Sequence, residues 1–223
     1  RPDSLRASVS GSALGATGHL EGSFQLGRKP VQKLRYLIGA RYKTNQYLLN
    51  SLEVKGEYVP NFTDFQGYLT YDIHRDLQVA ILANFNRSVY SYRPVSRSTA
   101  FGFVTYALRL FSVYEGQERD QFTTSMTGIS MTYLPEKARR PLYLKLLLST
   151  FNSREVEGID IIGAYRLSEI DINPGSENFE REIAVLGTGV QHQYVRNQLN
   201  FQVTQLEHKG GVEWPSWLSE SGK

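Results

Sequence analysis

The stretch Leu77-Gln78-Val79-Ala80-Ile81-Leu82-Ala83-Asn84-Phe85-Asn86 decides the fold class. Leu77, Val79, Ile81, Ala83 and Phe85 take one parity, and Gln78, Ala80, Asn84 and Asn86 the other, with only Leu82 out of pattern. Successive side chains of a strand point to opposite faces, so a period of two reads as a strand with one apolar and one polar face. The same period recurs in both directions along the chain. Leu199, Phe201 and Val203 alternate with Gln198, Asn200, Gln202 and Thr204. Tyr36, Ile38, Ala40 and Tyr42 oppose Arg35, Gly39 and Arg41, with Leu37 the exception, and Leu142, Leu144, Leu146 and Leu148 oppose Tyr143, Lys145, Leu147 and Ser149.

The spacing of these segments adds a second signal. Short connections are expected at about 27–33, 74–76, 134–141 and 195–197, and long ones at about 43–61, 88–121 and 153–183. In an antiparallel meander, alternate connections lie on the same side of the sheet. One side is then trimmed to hairpins while the other carries bulky loops, which is the asymmetry of outer-membrane barrels. The expected fold is all-β, an antiparallel up-and-down meander forming part of a transmembrane β-barrel.

A soluble sandwich or barrel also alternates apolar and polar residues. Two features favour the membrane. Tyr71, Tyr133 and Tyr194 share parity with the apolar set of their strands and stand just before expected short turns. Tyrosine places its ring in the apolar zone and its hydroxyl among headgroups, so the three read as one aromatic girdle. The opposite parity is rich in glutamine, asparagine, arginine and lysine, which a water-filled lumen accepts and a packed core does not.

Composition narrows the alternatives. The 223 residues are 40% hydrophobic, their mean hydropathy is −0.37, and no run of about 18 apolar residues exists to make a transmembrane helix. A barrel strand needs only one apolar face, so the low average does not count against it. The net charge of +3 is dispersed, without the basic stripe that nucleic acid requires. Cysteine is absent, which removes disulfide frameworks, thiolate metal sites and cysteine nucleophiles together. No signal-peptide pattern opens the chain. The end from Gly210-Gly211-Val212-Glu213-Trp214 into Ser219-Glu220-Ser221-Gly222-Lys223 lacks a closing amphipathic strand, so both ends read as cuts.

The expected loops hold the candidate ligand contacts. Segment 43–61 carries Asn45, Gln46, Tyr47, Tyr58 and Asn61 around Lys55-Gly56-Glu57, and segment 88–121 carries Tyr90, Tyr92, Arg93, Arg97, Tyr106, Arg109 and Tyr114 before Glu115-Gly116-Gln117-Glu118-Arg119-Asp120. Flat amphipathic rings beside both charge signs suit a polar ligand, and loops of this length are usually functional or disordered. Tyr90, Tyr92, Arg93, Arg97 and Tyr114 are the candidates taken forward. Solvation alone also explains polar loop residues. His19, His74, His192 and His208 show no metal-ligand spacing, and neither a nucleophile elbow nor a phosphate loop is present. Glu155 with Glu157, or Asp160 with Asp171, could bind a cation or simply be hydrated. No catalytic residue, metal or cofactor is expected.

Several phrases resemble a known family. Leu37-Ile38-Gly39-Ala40-Arg41-Tyr42-Lys43-Thr44-Asn45-Gln46-Tyr47-Leu48-Leu49, Lys55-Gly56-Glu57-Tyr58, Thr99-Ala100-Phe101-Gly102 with Ala107-Leu108-Arg109-Leu110, Tyr114-Glu115-Gly116-Gln117-Glu118 and Leu206-Glu207-His208-Lys209-Gly210 resemble the barrel of TonB-dependent outer-membrane receptors of Bacteroidetes. Leu20-Glu21-Gly22 is similar to the end of their second barrel strand. The resemblance runs over 1–211, and 212–223 departs from it as a divergent or truncated tail.

The resemblance implies a 22-stranded barrel closed by an N-terminal plug, of which this chain would supply about eight strands. It implies import of a small-molecule, glycan or peptide solute through extracellular loops, energised by TonB, ExbB and ExbD acting on a plug outside this sequence. Outer-membrane lipid is the other partner, and the outer membrane the location. Two further readings stay open: a small outer-membrane barrel enzyme (a protease or lipase, with His208 or Asp120 as candidate residues) and a soluble β-rich binding module.

Overall fold

The computed structural model describes residues 4–44, 59–103, 105–138 and 140–213. Nine strands follow one another: β1 (Arg6–Ser12), β2 (Gly15–Gln25), β3 (Lys33–Thr44), β4 (Asn61–His74), β5 (Leu77–Tyr92), β6 (Arg97–Phe103), β7 (Tyr106–Tyr133), β8 (Leu142–Ile170) and β9 (Glu182–Val212). All pairings are antiparallel, in the order β1-β2-β3-β4-β5-β7-β8-β9, with β6 also on β7. The sheet is an open meander with β1 and β9 at its edges. Among the described residues no helix is long and apolar enough to cross a membrane, a statement that does not concern strands.

Strands β5 and β6 lie end to end along one edge of β7. Leu77–Tyr92 pairs with Tyr133 back to Glu118, and Arg97–Phe103 with Ser112 back to Tyr106. Between them Pro94 has no N–H to give to a ladder, which accounts for the break. Segment 88–121 is therefore strand for most of its length and not a loop, and segment 153–183 is strand except for the turn at 171–181. Most of 43–61 lies outside the described residues.

One expected connection does not exist. Val195-Arg196-Asn197 is mid-strand in β9, paired with Ile159-Gly158-Glu157, and Asn197 Nδ2 donates to Glu157 Oε2 at 3.2 Å. A polar interruption imitates a turn in sequence, but β8 runs alongside without a break and receives its ladder bonds. Tyr194 consequently does not share the height of Tyr71 and Tyr133. It pairs with Asp160, which pairs with Gln117, roughly 50 Å along the sheet from Tyr133 at about 3.3 Å per residue.

Pairing register assigns every side chain to one of two faces, because directly opposed residues point the same way. Face A carries Tyr36, Leu69, Ile81, Ile129, Leu148 and Leu206 in one row across six strands. The next row towards the short turns holds Leu34, Tyr71, Val79, Met131 and Leu146. On β5 this aliphatic band reaches up to Phe85, whereas on β7 to β9 it gives way at Thr127, Thr150 and Thr204. The band therefore crosses the strands obliquely, the course a level takes when strands tilt.

Face B is polar beneath the band. Arg35, Asp72 and Gln78 form one hydrogen-bonded triad, with Gln78 Nε2 donating to Asp72 at 2.6 Å. Arg41, Asp64 and Asn86 form another, with Arg41 Nε donating to Asp64 at 2.6 Å. The run Leu199, Phe201, Val203 lies on face B, packed by Phe201 against Phe151 with ring centroids 5.6 Å apart. It is thus opposite to Leu77–Phe85, although each is the apolar parity of its own strand.

Nothing among the described residues covers the aliphatic band. The buried apolar residues are Ala80, Ala107 and Ile170, too few to be the core of a globular domain of this length. Ile129 and Leu148 are each 48% exposed.

Candidate functional site

Strands β7, β8 and β9 have 28, 29 and 31 residues. The aliphatic band occupies only the ends of these strands near the short turns, so a broad wall of paired strand stands beyond it. The candidate site is built on face B of that wall. Tyr90 opposes Asp120, which opposes Glu157, which opposes Asn197. One row further, Tyr92 opposes Glu118, then Ile159 and Val195; one row back, Ser88 opposes Phe122, then Glu155 and Leu199. Alternation puts Glu118 and Asp120 on the same side, and antiparallel pairing brings Glu155 and Glu157 beside them.

The result is a ladder of two tyrosines and four carboxylates on one face. Its charges interact: the Glu118 carboxyl is held above the usual glutamate range by partial burial first, and then by the charge and hydrogen bond of Asp120 and the charge of Glu157. Asp120 Oδ1 accepts from the Gly158 backbone N–H at 3.4 Å. Chemically, this face offers rings that stack on sugar or aromatic groups and acceptors for hydroxyl, amine or cationic groups. Among the described residues, no group of three or more His, Asp or Glu side chains is arranged to hold a metal ion.

Higher on the same face, the Tyr114 ring lies over Gly163, where an added Cβ would meet it at 3.0 Å. Tyr165 likewise covers Gly189. Arg97 opposes Ser112, which opposes Tyr165. Four of the five candidate contacts from the sequence, Tyr90, Tyr92, Arg97 and Tyr114, are thus brought to one face, on strands and not in a loop. Arg93 is not among them. Its Nε donates to Gln117 Oε1 at 3.3 Å, placing it on face A.

Gly116 sits between the two levels. Its φ of +100° is one that side chains rarely adopt, and an added Cβ would lie 1.9 Å from the Asp160 carbonyl oxygen. Close approach of β7 to β8 at this point requires glycine.

Glu118, Asp120, Glu155 and Glu157 were not taken forward by the sequence reading as ligand contacts. Their alternation with Arg119 and Val156 was a usable signal once the segment is known to be strand. The remaining candidates are scattered. Asp160 Oδ1 accepts from His192 Nε2 at 2.9 Å on face A, beside Tyr194, over which Arg196 stacks at 5.2 Å. Asp171 belongs to the turn at 171–181, where hydrogen bonds from Ser176 and from the Asn173 N–H hold its carboxyl below the usual aspartate range. His208 opposes Leu146 on face A near the short turns, whereas Asp120 is on face B far above it, so these two do not share a site. Comparison with family models, with curated proteins and with solved structures gave no match.

Proposed function

We propose that this chain forms part of the barrel wall of an outer-membrane TonB-dependent receptor, which captures a solute on the outer side and passes it to the periplasm. The observation that carries the reading is the uncovered aliphatic band of face A at the short-turn end of a long meander, backed by a polar face B. Hydrocarbon solves the problem that such a band poses in water, and the Leu77 to Phe85 run has the length a tilted spanning strand needs. The family phrases between Leu37 and Gly210 support the same reading. In it, Tyr71 and Tyr133 sit at the periplasmic interface, face B lines the lumen, and the strand extensions rise on the outer side. The solute meets the Tyr90, Tyr92, Glu118, Asp120 ladder, and TonB, ExbB and ExbD act through a plug contributed from outside this sequence.

This chain has no cysteine, so a thiol introduced into it is unique once any cysteine elsewhere in the full receptor has been replaced. Single variants Ile129→Cys, Leu148→Cys, Asn84→Cys and Asn86→Cys of the full receptor are labelled with a fluorophore in vesicles. Quenchers carried on lipid chains should reach the first two and not the last two. Quenching of all four by a water-soluble reagent, or a chain monodisperse without detergent, would overturn the reading. Replacing Tyr90, Tyr92, Glu118 and Asp120 together tests the solute assignment; unchanged affinity for the natural solute removes it.

A further inference from the structure

From the level of Arg87 to that of Arg119, immediately above the aliphatic band, the charged side chains of face A are all arginine; the first carboxylate on that face, Asp160, stands one row higher and is hydrogen-bonded to His192. Arg87 opposes Thr123, which opposes Arg154; Arg119 opposes Gly158, which opposes Arg196. All four arginines are exposed, and none forms an ion pair with a carboxylate among the described residues. The carboxylates of the same strands at this height, Glu118, Asp120, Glu155 and Glu157, take the other parity and stand on face B. A merely hydrated surface interleaves the two signs on each face. On these levels the sheet separates them, arginine to the side of the aliphatic band and carboxylate to the other.

The four guanidinium groups span two levels of the sheet and three strand spacings, a patch roughly 13 Å by 14 Å. Neutral hydrogen-bonding groups fill the space between. Arg87 Nη2 donates to Gln121 Oε1 at 3.1 Å, and Arg154 borders a depression formed with Thr123, Asn152, Asn200 and Gln202. Arginine matches phosphate oxygens with paired N–H donors, and a basic patch at a membrane surface attracts anionic headgroups.

We propose that this belt binds the phosphate groups of an anionic membrane lipid whose acyl chains lie along the aliphatic band below it. The inference rests on the membrane reading above. Its two determinants are continuous on one face: the apolar band receives the chains and the arginines receive the headgroup. A soluble phosphate compound would use only the second.

The test uses the full receptor in nanodiscs of phosphatidylcholine alone, or of phosphatidylcholine mixed with phosphatidylglycerol or with a diphosphorylated glucosamine lipid, with retained lipid read by native mass spectrometry after exchange into detergent. The wild type should retain the anionic lipid selectively. Each arginine should contribute about a fivefold preference, so Arg87→Gln, Arg119→Gln, Arg154→Gln and Arg196→Gln combined should lower retention by about a hundredfold or more. Lys145→Gln with Lys209→Gln, which removes cations from face B, should leave it unchanged. Equal retention of both lipid classes, an unaffected quadruple variant, or displacement by inorganic phosphate at lipid-equivalent concentration overturns the proposal while leaving the barrel reading intact. Failure to enter any disc overturns the barrel reading itself.

Discussion

The two face-B triads make different predictions although they are built alike. In each, an aspartate on β4 accepts from an arginine on β3 and an amide on β5. In the first, the side chains of Arg35 and Asp72 are 14% and 16% exposed; in the second, Arg41 is 48% exposed and Asp64 10%. Removing a carboxylate leaves its arginine behind, so the cost depends on whether that arginine can reach water. Asp72→Ala strands a largely buried guanidinium, whose Nε already lacks a partner, and should destabilise by about 3–5 kcal/mol. Asp64→Ala loses comparable hydrogen bonds, but Arg41 can rehydrate, so a loss of about 2 kcal/mol is expected. The measurement is urea unfolding of the reconstituted full chain by far-UV circular dichroism, with midpoints converted through a shared slope. An Asp64 variant as destabilised as the Asp72 variant would refute the argument from partner exposure.

Further outcomes follow from single sites. Gly116→Val should speed hydrogen exchange at Asp160 and Ile161 by disrupting the local pairing, with about 1–3 kcal/mol of backbone strain, whereas Gly128→Ala, where a Cβ meets only ordinary contacts at 3.7 Å, should be tolerated. Because the Asp171 carboxyl is depressed in the folded turn, its contribution is complete above the ordinary aspartate range and lost as pH falls through the folded value. The protection factors at Asn173 and Ser176, with the intrinsic pH dependence of exchange divided out, should fall in acid, and Asp171→Asn should remove that fall. The raised Glu118 works in the opposite direction: below the ordinary glutamate range it brings no penalty, and the penalty grows as pH rises through the folded value. Glu118→Gln should therefore stabilise the chain near neutral pH and match the wild type in acid; an equal effect at both would discount the carboxylate cluster.

The sequence by itself determined the all-β class, the antiparallel course and the short connections at 27–33, 74–76 and 134–141, because alternation and turn composition are local properties that one strand displays alone. It also marked Tyr90, Tyr92, Arg97 and Tyr114, although as loop residues. Charged alternation such as Glu115 to Asp120 reads as solvated loop until a partner strand supplies its ladder bonds. The same is true of Val195-Arg196-Asn197, which only β8 turns from an apparent hairpin into mid-strand. Most of all, parity within a strand shows that its two sides differ but not which side of the sheet each faces. Only the tertiary structure decided that, since register is a relation between strands. It set Leu199, Phe201 and Val203 against the side of Leu77 to Phe85, moved Tyr194 away from Tyr71 and Tyr133, and put Arg87, Arg119, Arg154 and Arg196 on the opposite face from Glu118, Asp120, Glu155 and Glu157.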